Sequence, residues 1–358
     1  MEQTKNNSIK WLLGAFAIIV LIILGFSTFH GTVKTGPVKI GVILPLSGDL
    51  AYLGESAKRG AELALENYAG TRNKYELIFE DDQFDAKKAV TAANKLISID
   101  NVDAVVTFGS SGGNSVKPIA EKNKILHFAV ATDPKVADGG YTFNHWTPAK
   151  EEVRALVAEL LKRNIKKIGL LTVNQDGMLA IDNEITKQTQ GTGISIVTDQ
   201  KFNIGEKDFR TLIAKVKQNS PEILVMINYS PEIEILGRQI KDAGVKIPMT
   251  SVEGFDQTSD PGLFKGYWYA SASDPSSEFA NSFKTKYGKS PGFGTGNIYD
   301  IITLIITASE NATSRGKPNT DDVISKLLQI KDLKGAMGSL SVGSDGVVLS
   351  KATIKTVK

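Results

Sequence analysis

Apolar residues along this chain fall into short continuous runs, separated by segments in which they recur every three or four positions. The runs at 38–45, 75–80 and 103–108, and a fourth ending at Ala131-Thr132-Asp133-Pro134, read as buried strands. Between them, Ala57, Ala61, Ala64, Leu65 and Tyr68 mark one face of a helix ending near Gly70, and Asp85 caps a helix over 86–97 with Ala89, Val90, Ala93 and Leu96 inward. The rhythm then restarts. A helix after Thr147-Pro148 turns Val153, Leu156, Val157 and Leu160 to one side; strands follow at 167–173, 195–202, 222–229 and 248–252, with helices between. A strand at 266–271, helices at 276–287 and 295–311 and a last helix near 320–330 come next. Residues 338–342 and 346–357 alternate like a hairpin turning at 343–346. Strand and helix alternate about every 30 residues, which is the spacing of βαβ units and predicts two α/β halves.

The N-terminus breaks this rhythm. Ten polar residues carrying Lys5 and Lys10 precede the unbroken apolar run 11–26, which extends to Phe29. About 17 apolar residues are enough to cross a bilayer as a helix. A cleavable signal peptide has the same layout with a shorter core, and Gly25-Phe26-Ser27 offers a small-x-small cleavage site. The length of the run favours an uncleaved transmembrane anchor, with the two lysines cytoplasmic and everything after the run outside. Residues 30–37 read as a tether.

Composition narrows the function. The 358 residues allow two ordinary domains. Net charge is only +3 with lysines dispersed, so no surface for nucleic acid is expected. The chain has no cysteine, which removes disulfides, thiol chemistry and cysteine zinc sites, and its histidines, His30, His127 and His145, lie too far apart to suggest a metal centre. No G-x-G-x-x-G follows the first strand and no G-x-S-x-G elbow is present, so neither a nucleotide cofactor nor an extracytoplasmic hydrolase is favoured.

Candidate chemistry collects at strand ends. In an open parallel sheet, ligands sit beyond the carboxyl ends of the strands. Ser110 and Ser111 follow one strand and Thr132 the next, while Gly109, Gly112 and Gly113 let the backbone turn sharply. With the free N–H groups of the following helix, these neutral donors suit an anionic group such as a carboxylate. The same residues also serve a βα turn for geometry alone. Phe79-Glu80-Asp81-Asp82 reads as a solvated strand exit, Tyr299-Asp300 as packing, and Trp146 and Trp268 as core, with cleft lining as the alternative for the two tryptophans.

The ordered set KIGVILPLSGDLAYLGESAKRGAELAL, FEDDQFDAKKAV, FGSSGGNSVKPIAEKNKI, ATDP, SVEGFD and NIYD resembles the leucine/isoleucine/valine-type substrate-binding proteins of ABC importers, from about residue 38 to the end. The resemblance implies an α/β type I periplasmic-binding-protein fold, with two Rossmann-like lobes joined by three crossings and closing over a ligand. It implies lobe 1 at 38–145 plus 254–335 and lobe 2 at 146–253 plus 336–358, after the 1–37 anchor and tether, with crossings near 144–148, 252–254 and 335–338. Carried over one at a time, Ser110 matches the serine that binds the ligand carboxylate. Thr132 matches the threonine that assists it, with backbone near Val130 alongside. Glu253 matches the acid that pairs with the ligand ammonium. Tyr229 falls in the segment that supplies an aromatic, and Leu53, with Tyr52 adjacent, falls where an aromatic covers the ligand. The chain departs from the family at Asp176, which precedes Gly177 where the family often has an aromatic. It is either a second acid facing a more cationic ligand or a turn residue.

The expected function is therefore a non-catalytic, extracytoplasmic binding protein for an amino acid or related small polar ligand. Its partner would be an ABC permease, and it would need neither cofactor nor metal. A ligand-sensing ectodomain working with a separate signalling partner is the alternative, since ten residues before the apolar run leave no room for a signalling domain.

Overall fold

The structure, a computed structural model, describes residues 36–313 and 316–358. The first half runs β1 (Val38–Leu44), α1 (Ala51–Asn67), β2 (Tyr75–Asp81), α2 (Ala86–Ser98), β3 (Ala104–Phe108), α3 (Ser110–Asn123), β4 (Leu126–Val130) and β5 (Thr142–Asn144). Its strands form one parallel sheet in the order β2-β1-β3-β4-β5. β3 and β4 are buried at every position, which explains why they appear in the sequence as continuous apolar runs. Asp85 caps α2 as expected, its carboxylate accepting from the Lys87 and Lys88 amides at 2.9 Å each.

The second half repeats the plan with α4 (Ala149–Lys162), β6 (Lys167–Val173), α5 (Asp176–Gln188), β7 (Ser195–Phe202), α6 (Arg210–Asn219), β8 (Ile223–Ile227), α7 (Glu232–Asp242) and β9 (Met249–Ser251). Its parallel sheet runs β7-β6-β8-β9. In both sheets the order reverses next to the first-formed strand, at β1/β3 and at β6/β8. Those are the switch points where a crevice opens beyond the strand ends.

The remainder is β10 (Trp268–Ala272), α8 (Ser277–Tyr287), α9 (Thr295–Ala312), α10 (Thr320–Leu327), β11 (Leu333–Gly335), β12 (Gly338–Leu340) and β13 (Ala352–Thr356). α9 lies along α1, where Gly60 admits the Thr295 backbone and Ser56 Oγ meets Thr295 Oγ1 at 2.7 Å. One expectation changes here. Residues 338–357 do not form a simple hairpin: β12 pairs with β11, β13 pairs antiparallel with β10, and a bridge at Val342–Val348 joins the arms. β10 is buried along its whole length, and the ladder with β13 satisfies its backbone groups, which outweighs local hairpin closure. A single bridge also joins Val252, just past β9, to Ala270 of β10.

Asp300 ties the segments that pass between the halves. It is fully buried, accepts from the Ala336 and Met337 amides, and meets His145 Nε2 at 3.2 Å. Asn297, one turn earlier on α9, donates to the His145 carbonyl at 3.0 Å. The Tyr299-Asp300 step is thus more than apolar packing. The apolar run at 11–29 lies outside the described residues; among those described, no helix is long and apolar enough to cross a membrane.

Candidate functional site

The ends of β3, β4, β6, β8 and β9 converge on one narrow cavity of about 30 Å3. Its wall includes Ser110, Val130, Thr132, Tyr229 and Glu253, so five residues expected from the sequence meet at one place. Ser110 opens α3 after Gly109, whose φ of 95° only glycine takes easily. The Ser110 hydroxyl oxygen accepts from the Thr132 and Asp133 amides, each at 3.1 Å. Both lone pairs are thereby used, which leaves the polarised O–H as a donor to an anionic group.

Glu253 faces this hydroxyl from the second half and is 1% exposed. Its backbone sits at φ 60°, ψ −37°, with Gly254 N–H bonded to the Val252 carbonyl at 2.7 Å. That is a γ-turn at positive φ, a strained conformation for a non-glycine residue. One carboxylate oxygen, Oε1, accepts from Thr132 Oγ1 at 2.7 Å and from Trp146 Nε1 at 2.6 Å. Burial raises the Glu253 pKa above the usual carboxylate value, and donors from Glu152, Thr132 and Trp146 oppose the rise. Thr132 thus joins the two, its amide donating to Ser110 and its hydroxyl to Glu253.

Aromatic side chains complete the walls. Phe84 meets Tyr229 edge to face at 5.7 Å, and Trp146 packs on Phe293 at 4.5 Å. Phe84 is held at φ 60° by Asp82, which accepts its amide at 2.9 Å. Asp82 is 1% exposed, and burial lifts its pKa to about 6. That corrects the reading of the acidic strand exit as wholly solvated: Asp81 is exposed, but Asp82 builds the turn that aims Phe84.

Four candidates lie elsewhere. Ser111 is partly exposed on α3, outside the cavity wall. Leu53 is buried in the core beside β1, and Tyr52 is exposed with its hydroxyl donating to the Gln257 carbonyl at 2.6 Å. Asp176 starts α5 and points into a neighbouring groove, where Asn114 donates to it at 2.9 Å. Its neighbour Gly177 is the residue that lines the cavity, approaching so closely that a β-carbon there would lie 2.7 Å from Ser110 Oγ. Sequence reasoning missed Phe84, Phe108, Gln175, Met178, Gln257 and Phe293 as wall residues. Among the described residues no acid or histidine cluster fits a metal ion.

Past Phe84 and Tyr229 the cavity adjoins a groove of about 180 Å3 lined by Leu50, Ile204, Pro231 and Ile235 together with the charged Asp49, Glu206, Lys207 and Glu232. The whole arrangement offers a donor for an anion on one side, an acid for a cation on the other, and apolar walls between. A small zwitterion has that pattern of charges.

Comparison with known proteins agrees in extent. A family model described as periplasmic binding protein matches residues 37–358. A leucine-, isoleucine-, valine-, threonine- and alanine-binding protein of Pseudomonas aeruginosa is 28% identical over 312 residues, covering 82% of each chain. Among solved structures, a leucine-binding protein from Thermotoga maritima superposes with a TM-score of 0.81 at 22% identity, over 90% of this chain and 95% of the other. A branched-chain amino acid transporter substrate-binding protein from Streptococcus pneumoniae, in complex with isoleucine, gives 0.80 at 23% identity, over 90% and 96%.

Proposed function

The chain belongs to the periplasmic binding protein family, and from that premise we propose that it captures an α-amino acid between its two halves for an ABC importer. The observation that carries this reading is the placement of Ser110 and Glu253 in the wall of one cavity, each following a strand of a different sheet. The Ser110 hydroxyl meets the ligand carboxylate, and Glu253 meets the ammonium. Neither half can bind both ends, so the ligand stabilises the closed arrangement, and removal of water strengthens both contacts. Nothing here makes or breaks a covalent bond. The family and its relatives are binding proteins, and this chain is one as well.

The wall residues Phe84, Phe108, Met178 and Phe293 favour a neutral side chain, directed toward the groove beyond Tyr229. Asp176 lies in the neighbouring groove with Asn114, so it gives no reason to favour a dicationic ligand. The pairing of β10 with β13 supports lobes of 38–145 plus about 273–349 and 146–272 plus about 350–358. The apolar run at 11–29 supports anchoring at the outer face of the membrane. Sequencing the mature N-terminus tests that point, and a start near Thr28 rules it out. Calorimetric titration with each L-amino acid tests the function: a neutral amino acid should bind, and binding by none of them would overturn the reading.

A further inference from the structure

Glu152 has no part in the expected site, yet it is among the most enclosed acids in the molecule. It sits in the first turn of α4 with 0% exposure, on the same helical face as the buried Val153, Leu156 and Leu160. Neither of its carboxyl oxygens has a hydrogen-bond partner of good geometry; the Ala272 amide lies near without forming one. The acid beside it is Glu253: the Glu253 amide donates to the Ala270 carbonyl of β10, the strand on which α4 packs, at 2.9 Å, and Glu253 Oε1 is held by Thr132, whose carbonyl accepts the Ala149 amide at the start of α4 at 3.3 Å. Two ionised carboxylates in that position would repel each other with no donor between them, whereas one proton turns the same contact into a charge-assisted hydrogen bond.

We propose that Glu152 is a positioning residue of the cleft: it keeps a proton at neutral pH, donates it to Glu253, and so leaves the pair with a single negative charge to meet a single ligand ammonium. Burial and the Glu253 charge both push the Glu152 carboxyl well above its ordinary range, in agreement with the geometry. The surrounding charges are otherwise paired. Asp256, the next acid, is held by Lys355 of β13 at 2.9 Å and by the Tyr269 hydroxyl of β10, and Lys355 also meets Asp274 at 2.6 Å. On α5, which packs on the other side of α4, Glu184 faces Lys187, and Asp182 is held by Thr172 and Lys201. Among the described residues, no cation forms an ion pair with Glu152 or Glu253 in place of the proton.

The consequence is a proton-linked affinity. As pH falls, Glu253 protonates at a higher pH than an ordinary glutamate, and ammonium binding must then expel a proton. Below that point affinity falls by about tenfold per pH unit. Above it the pair holds one proton and affinity is level.

Infrared spectroscopy of the full protein at pH 7 tests the proton directly and needs no ligand. The protonated-carboxyl absorption of the parent should be diminished in Glu152→Gln, which keeps a donor to Glu253. An unchanged absorption overturns the proposal. The second arm rests on the amino-acid reading and uses L-leucine as probe. Glu152→Gln should bind it within about twofold of the parent, while Glu152→Leu, which removes the donor, should bind about tenfold or more weakly at pH 7. The acid fall-off in Glu152→Leu should also begin at higher pH. Equal losses in both variants at every pH would show a packing role only and overturn the proposal. If the parent binds no amino acid while the infrared difference persists, the amino-acid reading fails and the shared proton stands.

Discussion

Glu253 concentrates strain, burial and two donors on a single carboxylate, the group proposed to meet the ligand cation. Glu253→Gln keeps the shape and removes the charge. Affinity for a bound amino acid should fall by about 2–5 kcal/mol, measured by calorimetry, because one partner of a buried charge pair is lost. Ser110→Ala should cost less, about 1–3 kcal/mol, since it removes one neutral donor to a charged group. His127 gives a separate test that involves stability alone. It is fully buried, its Nε2 meets Thr107 Oγ1 at 2.9 Å, and burial lowers its pKa to about 3. The unfolded chain binds that proton near pH 6.5 and the folded chain does not. Its contribution is therefore complete above about pH 6.5 and shrinks by about 1.4 kcal/mol per pH unit as pH falls from there toward 3. His127→Gln should flatten the acid limb of denaturant stability by that slope; an unchanged slope would mean that His127 titrates normally. At this scale the sequence revealed cavity-wall residues at or just past strand ends, namely Ser110, Val130, Thr132, Tyr229 and Glu253. Phe84 and Phe293 come from irregular loops without periodicity, and nothing local distinguishes them from ordinary aromatics. Glu152 did carry a signal: an acid three residues after Ala149 and four before Leu156 falls on the buried face of its helix.

At the scale of elements, the start of α5 is the part of the second half that rests against Ser110. Gln175 caps it by accepting the Gly177 amide at 2.9 Å, and Gly177 then rests against Ser110. Gly177→Ala should hold α5 away from α3 and weaken ligand binding by about 1–3 kcal/mol, the usual penalty for overpacking. The thermal midpoint without ligand should hardly move; a large fall there would place the effect in the fold and not in closure. Strands and helices of the βαβ rhythm were legible because each buries a continuous run or a periodic face. The C-terminal strands were not. Alternation in 338–357 matches a hairpin, but the partner for β13 is set by the open side of β10, some 80 residues earlier in the chain. Local sequence carries no record of that pairing.

For the whole molecule, the polar contacts between the two halves include Asn114 to Asp176, Thr132 to Glu253, and Tyr52 to the Gln257 carbonyl. Asn114 and Asp176 lie outside the cavity wall, so their contact bridges the halves without entering the cavity. Asn114→Ala should weaken amino-acid binding by about 0.5–1.5 kcal/mol, mainly through faster dissociation in stopped-flow measurements. Equal rates in the variant and the parent would show that the latch contributes nothing. The two-half architecture was legible from the repeated rhythm, whereas the position of the crossings depends on contacts such as those of Asp300, which only the folded chain brings together. The central claim is recognition at two points, a carboxylate at Ser110 and an ammonium at Glu253. The most direct measurement compares, by calorimetry at pH 7, a neutral amino acid such as L-leucine with its decarboxylated amine and its deaminated acid. Both truncated compounds should bind at least about 100-fold more weakly than the amino acid, because each leaves one buried group unpaired. An amine or an acid that binds as tightly as the amino acid would contradict the account.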